Sequence, residues 1–232
     1  MVHIARDKKL NFIVALKIMK KSALQQPNAQ EQILREIKIQ SYLNHPNILK
    51  LYGFFDDEEK IYLILEYAPW GELYSSLKKQ ENKCFTEKEA ANYIKQVAEA
   101  LVYMHSKDVI HRDIKPENLL NSFVFILNKL CDYFKGTIKI CDFGWAVYAP
   151  NLLRETFCGT PDYVPPEMIK GDSYDQTVDI WSLGILCYEF LNGKPPFETK
   201  SQTTTFNNIL TVTICVFIDI QGRSNLQKSY KF

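Results

Sequence analysis

The stretch APWGEL at residues 68–73 constrains the fold more than any other feature, because the apolar pattern changes from strand-like to helix-like there. Pro69 and Gly71 both interrupt regular structure, so we expect this stretch to act as a hinge between two lobes. Three strand patterns precede it, at 12–19, 48–55 and 61–67, together with one helix pattern at 28–43. Apolar alternation in these strands indicates a small sheet accompanied by a single helix.

Helical patterns dominate the chain beyond this stretch. Thr86 and Glu89 form a capping-box sequence in front of a long helix with an apolar face. Residues 177–191 are apolar on nearly every side, so this helix should be buried, and Asn192-Gly193 should end it. The sequence therefore predicts an α+β, bilobal fold with a small β-rich N-lobe and a larger, mainly helical C-lobe. A cleft between two such lobes is a usual place for a ligand.

Composition and charge argue against several classes of protein. The 232 residues have a net charge of +1, which lacks the positive excess of a dedicated nucleic-acid binder. The N-terminus has no apolar signal core, and the longest apolar run, at 209–218, is too short to span a bilayer as a helix. The six cysteines form no CxxC pair, which argues against a zinc site or a disulfide framework. We expect a soluble protein of the cytoplasm and nucleus, with no membrane contact and no direct nucleic-acid binding.

The polar cluster HRDIKPEN at 111–118 contains the groups that a phosphoryl transfer requires. The carboxylate of Asp113 could deprotonate an attacking hydroxyl, and the ammonium of Lys115 could stabilise the transferring phosphate. The carboxamide of Asn118 could supply an oxygen to magnesium. A solvated polar turn is the simpler interpretation of each residue alone, but it explains their combination poorly.

A second carboxylate, in Asp142-Phe143-Gly144, follows the apolar strand pattern TIKIC. Ligands commonly bind at strand ends, so Asp142 is a candidate magnesium ligand. Lys17 lies among apolar neighbours on a predicted strand, and Glu36 follows it by nineteen positions on the face of a predicted helix. The two could pair across the small lobe and fix the lysine on nucleotide phosphates, whereas Lys17 alone could also be a surface residue with a buried stem.

Six motifs in order resemble those of a eukaryotic protein kinase: VALK (14–17), LREI (34–37), HRDIKPEN (111–118), DFG (142–144), PPE (165–167) and DIWSLG (179–184). Lys115 and the sequence GTPDY at 159–163 resemble the serine/threonine branch. The longer stretches HPNILKLYGFF, IYLILEYAPWGELY and CGTPDYVPPEM are similar to the Aurora family of mitotic kinases. The match covers roughly residues 2–121 and 136–198.

This resemblance implies ATP and Mg²⁺ as cofactors and assigns roles to the clustered residues. Asp113 would be the catalytic base, and Lys115 would steady the transferring phosphate. Asn118 and Asp142 would hold magnesium, and Lys17, paired with Glu36, would bind the α- and β-phosphates. The remaining nucleotide contacts would come from Val2, from Ala15, from Leu65 as gatekeeper, from the hinge backbone of Glu66 and Ala68, and from Leu120 as the floor of the adenine pocket.

The same resemblance implies a regulatory phosphorylation site at Thr156. Phosphate there could pair with Arg112 and Arg35 and order the surrounding loop. An exposed loop threonine without a regulatory role is the open alternative. Thr160 would line the substrate site near Asp113.

Three features of the sequence depart from the family pattern. The glycine-rich loop that covers nucleotide phosphates is absent, since Val2 aligns with its last position, and the first strand of the small sheet would be absent with it. Between Asp113 and Asp142 lie 28 residues, and the surplus forms an atypical apolar insertion at about 122–135. The tail at 199–232 is β-branched and apolar, and it does not predict the helices that should complete the large lobe.

We accordingly divide the chain into an N-lobe at 1–66, a C-lobe at 67–198 and an atypical tail. Glu167 would normally pair with an arginine in the distal helices, and only Arg223 is available, in an unsuitable context. We hypothesise that the insertion and the tail are translated intron or errors of the gene model. Sequencing the transcript across both joins tests this, because finding these codons in mature message would exclude it.

The expected activity is that of an ATP-dependent protein serine/threonine kinase of Aurora type acting in mitosis and cell-cycle control. The family preference for arginine near the target implies an acidic substrate groove, for which Glu117 and Glu72 are candidates. Expected partners are spindle, centrosome or centromere proteins, with localisation to those structures or to chromosomes. The alternative is a catalytically inactive kinase fragment that acts as a binding or regulatory module.

Overall fold

The computed structural model describes residues 1–24, 29–122, 136–150, 153–217 and 227–231. Four antiparallel strands form the sheet of the first lobe, in the spatial order β1-β2-β4-β3: β1 (Val2–Arg6), β2 (Ile13–Lys20), β3 (Leu51–Asp56) and β4 (Lys60–Glu66). Leu63 and Leu65 are buried on one face of β4, as the apolar alternation predicts. The sequence pattern does not predict β1, because this edge strand is largely exposed and lacks a buried alternating face.

Among the described residues of the first lobe, α1 (Ala29–Tyr42) is the single α-helix, and it corresponds to the helix predicted at 28–43. Ile33 and Ile37 lie one turn apart and are buried in the apolar cluster that includes β3 and β4. Glu36 is buried on the same helix, so the fold places a carboxylate on the inner face of α1.

The second lobe contains five helices among the described residues: α2 (Leu73–Lys79), α3 (Glu87–His105), α4 (Pro166–Lys170), α5 (Thr177–Asn192) and α6 (Gln202–Leu210). The predicted capping box begins α3, since Thr86 Oγ1 accepts from the Glu89 N–H and the Glu89 carboxylate accepts from the Thr86 N–H. Helix α5 ends at Gly193, whose φ of 78° is favourable for glycine. These helices confirm the predicted α+β architecture with its β-rich first part and helical second part.

Short paired strands position the two polar clusters. They are β5 (Val109–Ile110), β6 (Leu119–Ser122), β7 (Thr137–Ile140) and β8 (Val147–Tyr148), with β5 paired to β8 and β6 to β7. HRDIKPEN connects β5 to β6, and the DFG sequence lies between β7 and β8. The two clusters lie next to each other, because the Cys141 N–H donates to the Asn118 main-chain oxygen at 2.9 Å.

The expectation that the tail contains no helix was wrong, because α6 lies within it. The threonines and asparagines of α6 have weak helix propensity, so the sequence does not predict a helix there. Thr205 and Ile209 are nevertheless buried one turn apart, and α6 packs against α4 and the 3₁₀ turn Pro161–Tyr163. Tertiary packing therefore stabilises a helix that local propensity does not favour.

Beyond α6, strands β9 (Thr213–Phe217) and β10 (Gln227–Lys231) form an antiparallel pair. Most of the predicted insertion, at 123–135, lies outside the described residues, as does Arg223. The division into an N-lobe at 1–66, a C-lobe at 67–198 and an atypical tail stays a prediction. Within the described ranges, no helix has the length and apolar character needed to cross a membrane.

Candidate active site

The backbone of the HRD sequence is fixed by a buried carboxylate on α5. Asp179 is fully buried, and its two oxygens accept from the N–H groups of His111 at 2.9 Å and Arg112 at 2.8 Å. His105, at the end of α3, contributes a third contact to the same carboxylate at 2.8 Å. A buried charge is tolerated only when it is well paired, and these contacts meet that requirement. They also support Arg112 in its unusual left-handed conformation, with φ of 68°.

Three side chains form a closed set of contacts next to this anchored backbone. Thr160 Oγ1 donates to Asp113 Oδ1 at 2.9 Å, and Lys115 Nζ donates to Thr160 Oγ1 at 2.7 Å. Lys115 Nζ also lies 2.9 Å from Asp113 Oδ2. The structure thus brings together a carboxylate, an ammonium and a hydroxyl, as a phosphoryl transfer to a hydroxyl requires.

Asn118 lies against the same carboxylate. Its Nδ2 donates to the backbone oxygen and to Oδ2 of Asp113, both at 2.8 Å. These bonds use the amide nitrogen, so the Oδ1 oxygen is the atom that a cation could contact. The backbone oxygen of Asn118 accepts from the Cys141 N–H at 2.9 Å, which brings Asn118 next to the residue preceding Asp142.

Asn118 and Asp142 therefore fit a magnesium ion by the chemistry of their oxygens. Amide and carboxylate oxygens are the hard ligands that Mg²⁺ prefers, and Mg²⁺ commonly takes its other ligands from phosphates and water. Within the described ranges, no cluster of three or more His, Cys, Asp or Glu side chains could hold a metal. A magnesium ion here would accordingly depend on nucleotide phosphates as well as on these two residues.

The lysine predicted on β2 pairs with the helix glutamate, as the spacing suggested. Lys17 Nζ lies 2.7 Å from Glu36 Oε1 and 3.5 Å from Asp142 Oδ1. Burial by itself lowers the pKa of Lys17, but the nearby carboxylates of Glu36 and then Asp142 outweigh it and raise the pKa above 10.5. Lys17 is therefore a fully charged ammonium at the edge of the cleft.

The residues predicted to surround adenine are partly brought together. Ala15, Leu65, Ala68 and Leu120 belong to one apolar cluster, and Ala15 pairs with Leu65 across neighbouring strands. Val2 lies opposite Lys17 in the sheet and is largely exposed.

The side chain of Glu66 does not face this cluster. Its carboxylate forms an ion pair with Lys139 at 2.7 Å, and its N–H donates to the Lys50 oxygen at 2.8 Å. The Glu66 N–H is therefore already bonded to Lys50 and is not available for an adenine contact.

The predicted phosphosite is exposed, but its side chain is not bound to the predicted arginines. Arg112 is buried and donates to the Trp145 oxygen and to the Tyr174 hydroxyl. Arg35 is exposed on α1, and no contact among the described residues joins it to Thr156. The link from Arg112 to Thr156 passes instead through Tyr174, whose hydroxyl donates to the Thr156 main-chain oxygen at 2.8 Å.

Three residues that shape this site were not predicted from the sequence. Asp179 was quoted within a motif but received no role, although a carboxylate in an almost entirely apolar helix signals a buried charge with partners. Gln32 donates to the Gly144 oxygen at 2.8 Å and joins α1 to the DFG sequence. Tyr174 gave no local signal, because its partners are distant in the sequence.

Comparison with known proteins gives consistent results. The protein kinase domain family matches residues 1–231. The chain is 54% identical over 211 residues to Aurora kinase of Patiria pectinifera and to Aurora kinase A-A of Xenopus laevis, covering 91% of this chain and 49% of each relative. It is 52% identical over 213 residues to serine/threonine-protein kinase Aurora-1 of Arabidopsis thaliana, covering 92% of this chain and 68% of that protein. The chain thus spans about half the length of the animal relatives.

Proposed function

The chain belongs to the protein kinase family, in its Aurora branch, and on this premise we propose that it transfers the γ-phosphate of ATP to serine and threonine side chains of proteins. The observation that best supports this proposal is the contact between Thr160 Oγ1 and Asp113 Oδ1, with Lys115 Nζ touching both side chains. A substrate hydroxyl that enters beside Thr160 would meet a base and a cation in the positions that phosphoryl transfer needs.

The reaction assigns separate tasks to the residues of this set. Asp113 orients the substrate hydroxyl and takes its proton as the new O–P bond forms. The bond between the γ-phosphorus and the bridging oxygen breaks, and ADP leaves. Lys115 offsets negative charge on the transferring phosphoryl group. Asn118 holds the Asp113 carboxylate in place through the bond from its amide nitrogen.

Binding of the nucleotide is proposed for the first lobe and the DFG sequence. Lys17 would contact the α- and β-phosphates, with Glu36 fixing its position. Asn118 and Asp142 would hold Mg²⁺, which when bound neutralises phosphate charge. The adenine would lie among Val2, Ala15, Leu65, Ala68, Leu120 and the main chain of Glu66.

Substrate choice and cellular context are proposed from the family. Targets would have basic residues near the serine or threonine, received by the carboxylates of Glu117 and Glu72. The expected setting is mitosis, with spindle, centrosome or centromere proteins as partners and residence in the cytoplasm and nucleus. Thr156 would be the regulatory phosphorylation site, with Arg112 and Arg35 as phosphate partners.

The test is transfer of labelled γ-phosphate from Mg·ATP to an arginine-rich serine peptide by the purified chain. Loss of the base in Asp113→Asn should lower kcat by about 10²- to 10⁴-fold. Asp108→Asn is the matched control, because Asp108 is exposed with φ of 56°, a conformation that asparagine adopts equally well. Equal activity of Asp113→Asn and wild type would overturn the assignment of the base. A folded wild-type chain that transfers no phosphate would instead support the alternative of an inactive binding module, which nothing in the comparisons favours.

A further inference from the structure

Arg112 is a buried cation that has no acidic partner among the described residues. The residue is 7% exposed, and the described contacts of its side chain are with the Trp145 oxygen at 2.7 Å and the Tyr174 hydroxyl at 2.8 Å. Within the described part of the chain, no carboxylate forms an ion pair with this guanidinium. A buried charge normally has an anionic partner or several strong hydrogen bonds, so these two contacts are energetically important. Arg112 directly precedes Asp113, so what binds its side chain affects the catalytic base.

Tyr174 connects Arg112 to the segment that contains the phosphosite. The tyrosine is 3% exposed, and its hydroxyl accepts from Arg112 while donating to the Thr156 oxygen at 2.8 Å. Its main chain forms an antiparallel bridge with Arg154, through N–H···O bonds of 2.8 and 2.9 Å. Both the backbone and the side chain of Tyr174 therefore hold residues 154–156.

The other end of this segment contacts the catalytic loop directly. Gly159 has φ of 99°, and a Cβ atom there would lie 2.8 Å from the Arg112 oxygen, so only glycine permits this close approach. Thr160 then donates to Asp113. Since only three residues separate Thr156 from Thr160, a displacement at the first would be transmitted to the second.

We propose that Tyr174 is a positioning residue that holds the Thr156–Thr160 segment in its catalytic arrangement while Thr156 carries no phosphate. This inference rests on the proposed kinase function. The Tyr174 hydroxyl binds the main-chain oxygen of Thr156, so it acts regardless of the threonine side chain. A phosphate on Thr156 would give Arg112 a direct anionic partner, and the tyrosine hydroxyl would then contribute little.

The experiment compares Tyr174→Phe in two backgrounds, Thr156→Ala and wild type fully phosphorylated at Thr156. Without phosphate, kcat should fall about 10-fold, the effect of losing a hydrogen bond to a charged group, while the KM for ATP changes less than about twofold. With phosphate, kcat should change less than about twofold. Tyr148→Phe is the matched control, because it removes the hydroxyl of a 54% exposed tyrosine, in β8. An equal loss of kcat in both backgrounds would indicate a merely structural role and overturn the proposal.

Amide hydrogen exchange provides a readout that does not depend on catalysis. In unphosphorylated protein, Tyr174→Phe should increase exchange at residues 154–159 about 10-fold and leave α3 unchanged. Unchanged exchange at 154–159 would overturn the proposal even if activity fell. If wild type transferred no phosphate in either state, the kinase function would fail, and the exchange result would still decide whether Tyr174 anchors the segment.

Discussion

The two sides of the candidate active site are built on different physical principles. On the side that would receive the substrate hydroxyl, Asp113 and Asn118 are buried and joined by hydrogen bonds of 2.8 Å, and their loop is fixed by Asp179. On the side that would receive the nucleotide, the Asp142 side chain is 53% exposed and its closest cation, Lys17, is 3.5 Å away. The first side is preorganised by the fold, whereas the second leaves its charges open to a ligand.

This difference has a consequence for energetics. We call the side that would receive the substrate hydroxyl the acceptor side, and the other the nucleotide side. The buried contacts of the acceptor side contribute to folding, so breaking them should reduce both stability and activity. On the nucleotide side, the Lys17–Glu36 pair is largely buried, but the Lys17–Asp142 contact has an exposed carboxylate, is screened by water and contributes little to folding. The charges that face the ligand on this side should therefore affect mainly nucleotide affinity, and substitutions can separate the two sides.

The largest effect is expected for Asp179→Ala. This substitution leaves the buried N–H groups of His111 and Arg112 without their acceptor, and each unsatisfied group costs about 1–3 kcal/mol. With the loss of the His105 contact, we expect the free energy of unfolding to fall by about 4 kcal/mol. Urea denaturation measures this. Asp172→Ala, at an exposed aspartate between α4 and α5, should change stability by less than about 0.5 kcal/mol. A similar small change for Asp179→Ala would contradict the preorganised view of the acceptor side.

Part of the candidate site could be predicted from the sequence, because several of its residues lie close together in the chain or on regular strands and helices. Asp113, Lys115 and Asn118 lie within six residues, so their chemistry is visible as one local cluster. Lys17 and Glu36 were paired from strand and helix periodicity together with the family pattern, and the observed contact of 2.7 Å agrees with that pairing.

Residues that act across long sequence separations were not predictable in this way. Asp179 follows His111 by 68 positions, and Tyr174 follows Arg112 by 62. Their partners depend on how α5 packs beneath the catalytic loop, which local propensity and periodicity do not specify. Helix α6 was missed for a related reason, since packing rather than residue propensity stabilises it.

A smaller effect is expected on the nucleotide side for Lys17→Met. Methionine keeps much of the apolar stem but removes the charge that would meet the phosphates, so the Kd for Mg·ATP should rise about 10- to 100-fold. The KM for peptide should change less than about twofold, because the contacts among Asp113, Lys115 and Thr160 are retained. Isothermal titration gives the Kd, and steady-state kinetics gives the KM. Lys20→Met, at the exposed end of the same strand, is the control. A large rise in peptide KM would show that the two sides are not separable.

The smallest effect concerns the buried carboxyl of Glu189 on α5, whose partner Tyr163 lies three residues after Thr160. Glu189 accepts a hydrogen bond from the Tyr163 hydroxyl, and burial raises the pKa of Glu189 above 4.5 although that bond opposes the shift. A carboxyl whose pKa is higher in the folded state binds more protons there, so stability should decline as pH rises from 4.5 through the folded-state value. Unfolding free energies from urea titrations between pH 4.5 and 7 should show this decline, and Glu189→Gln should flatten it. Glu81→Gln, which removes an exposed carboxyl that is not among those acting on Glu189, should leave the slope unchanged. A slope that survives Glu189→Gln would contradict the assignment to Glu189 and would point to another carboxyl, such as Asp162, whose pKa burial also raises.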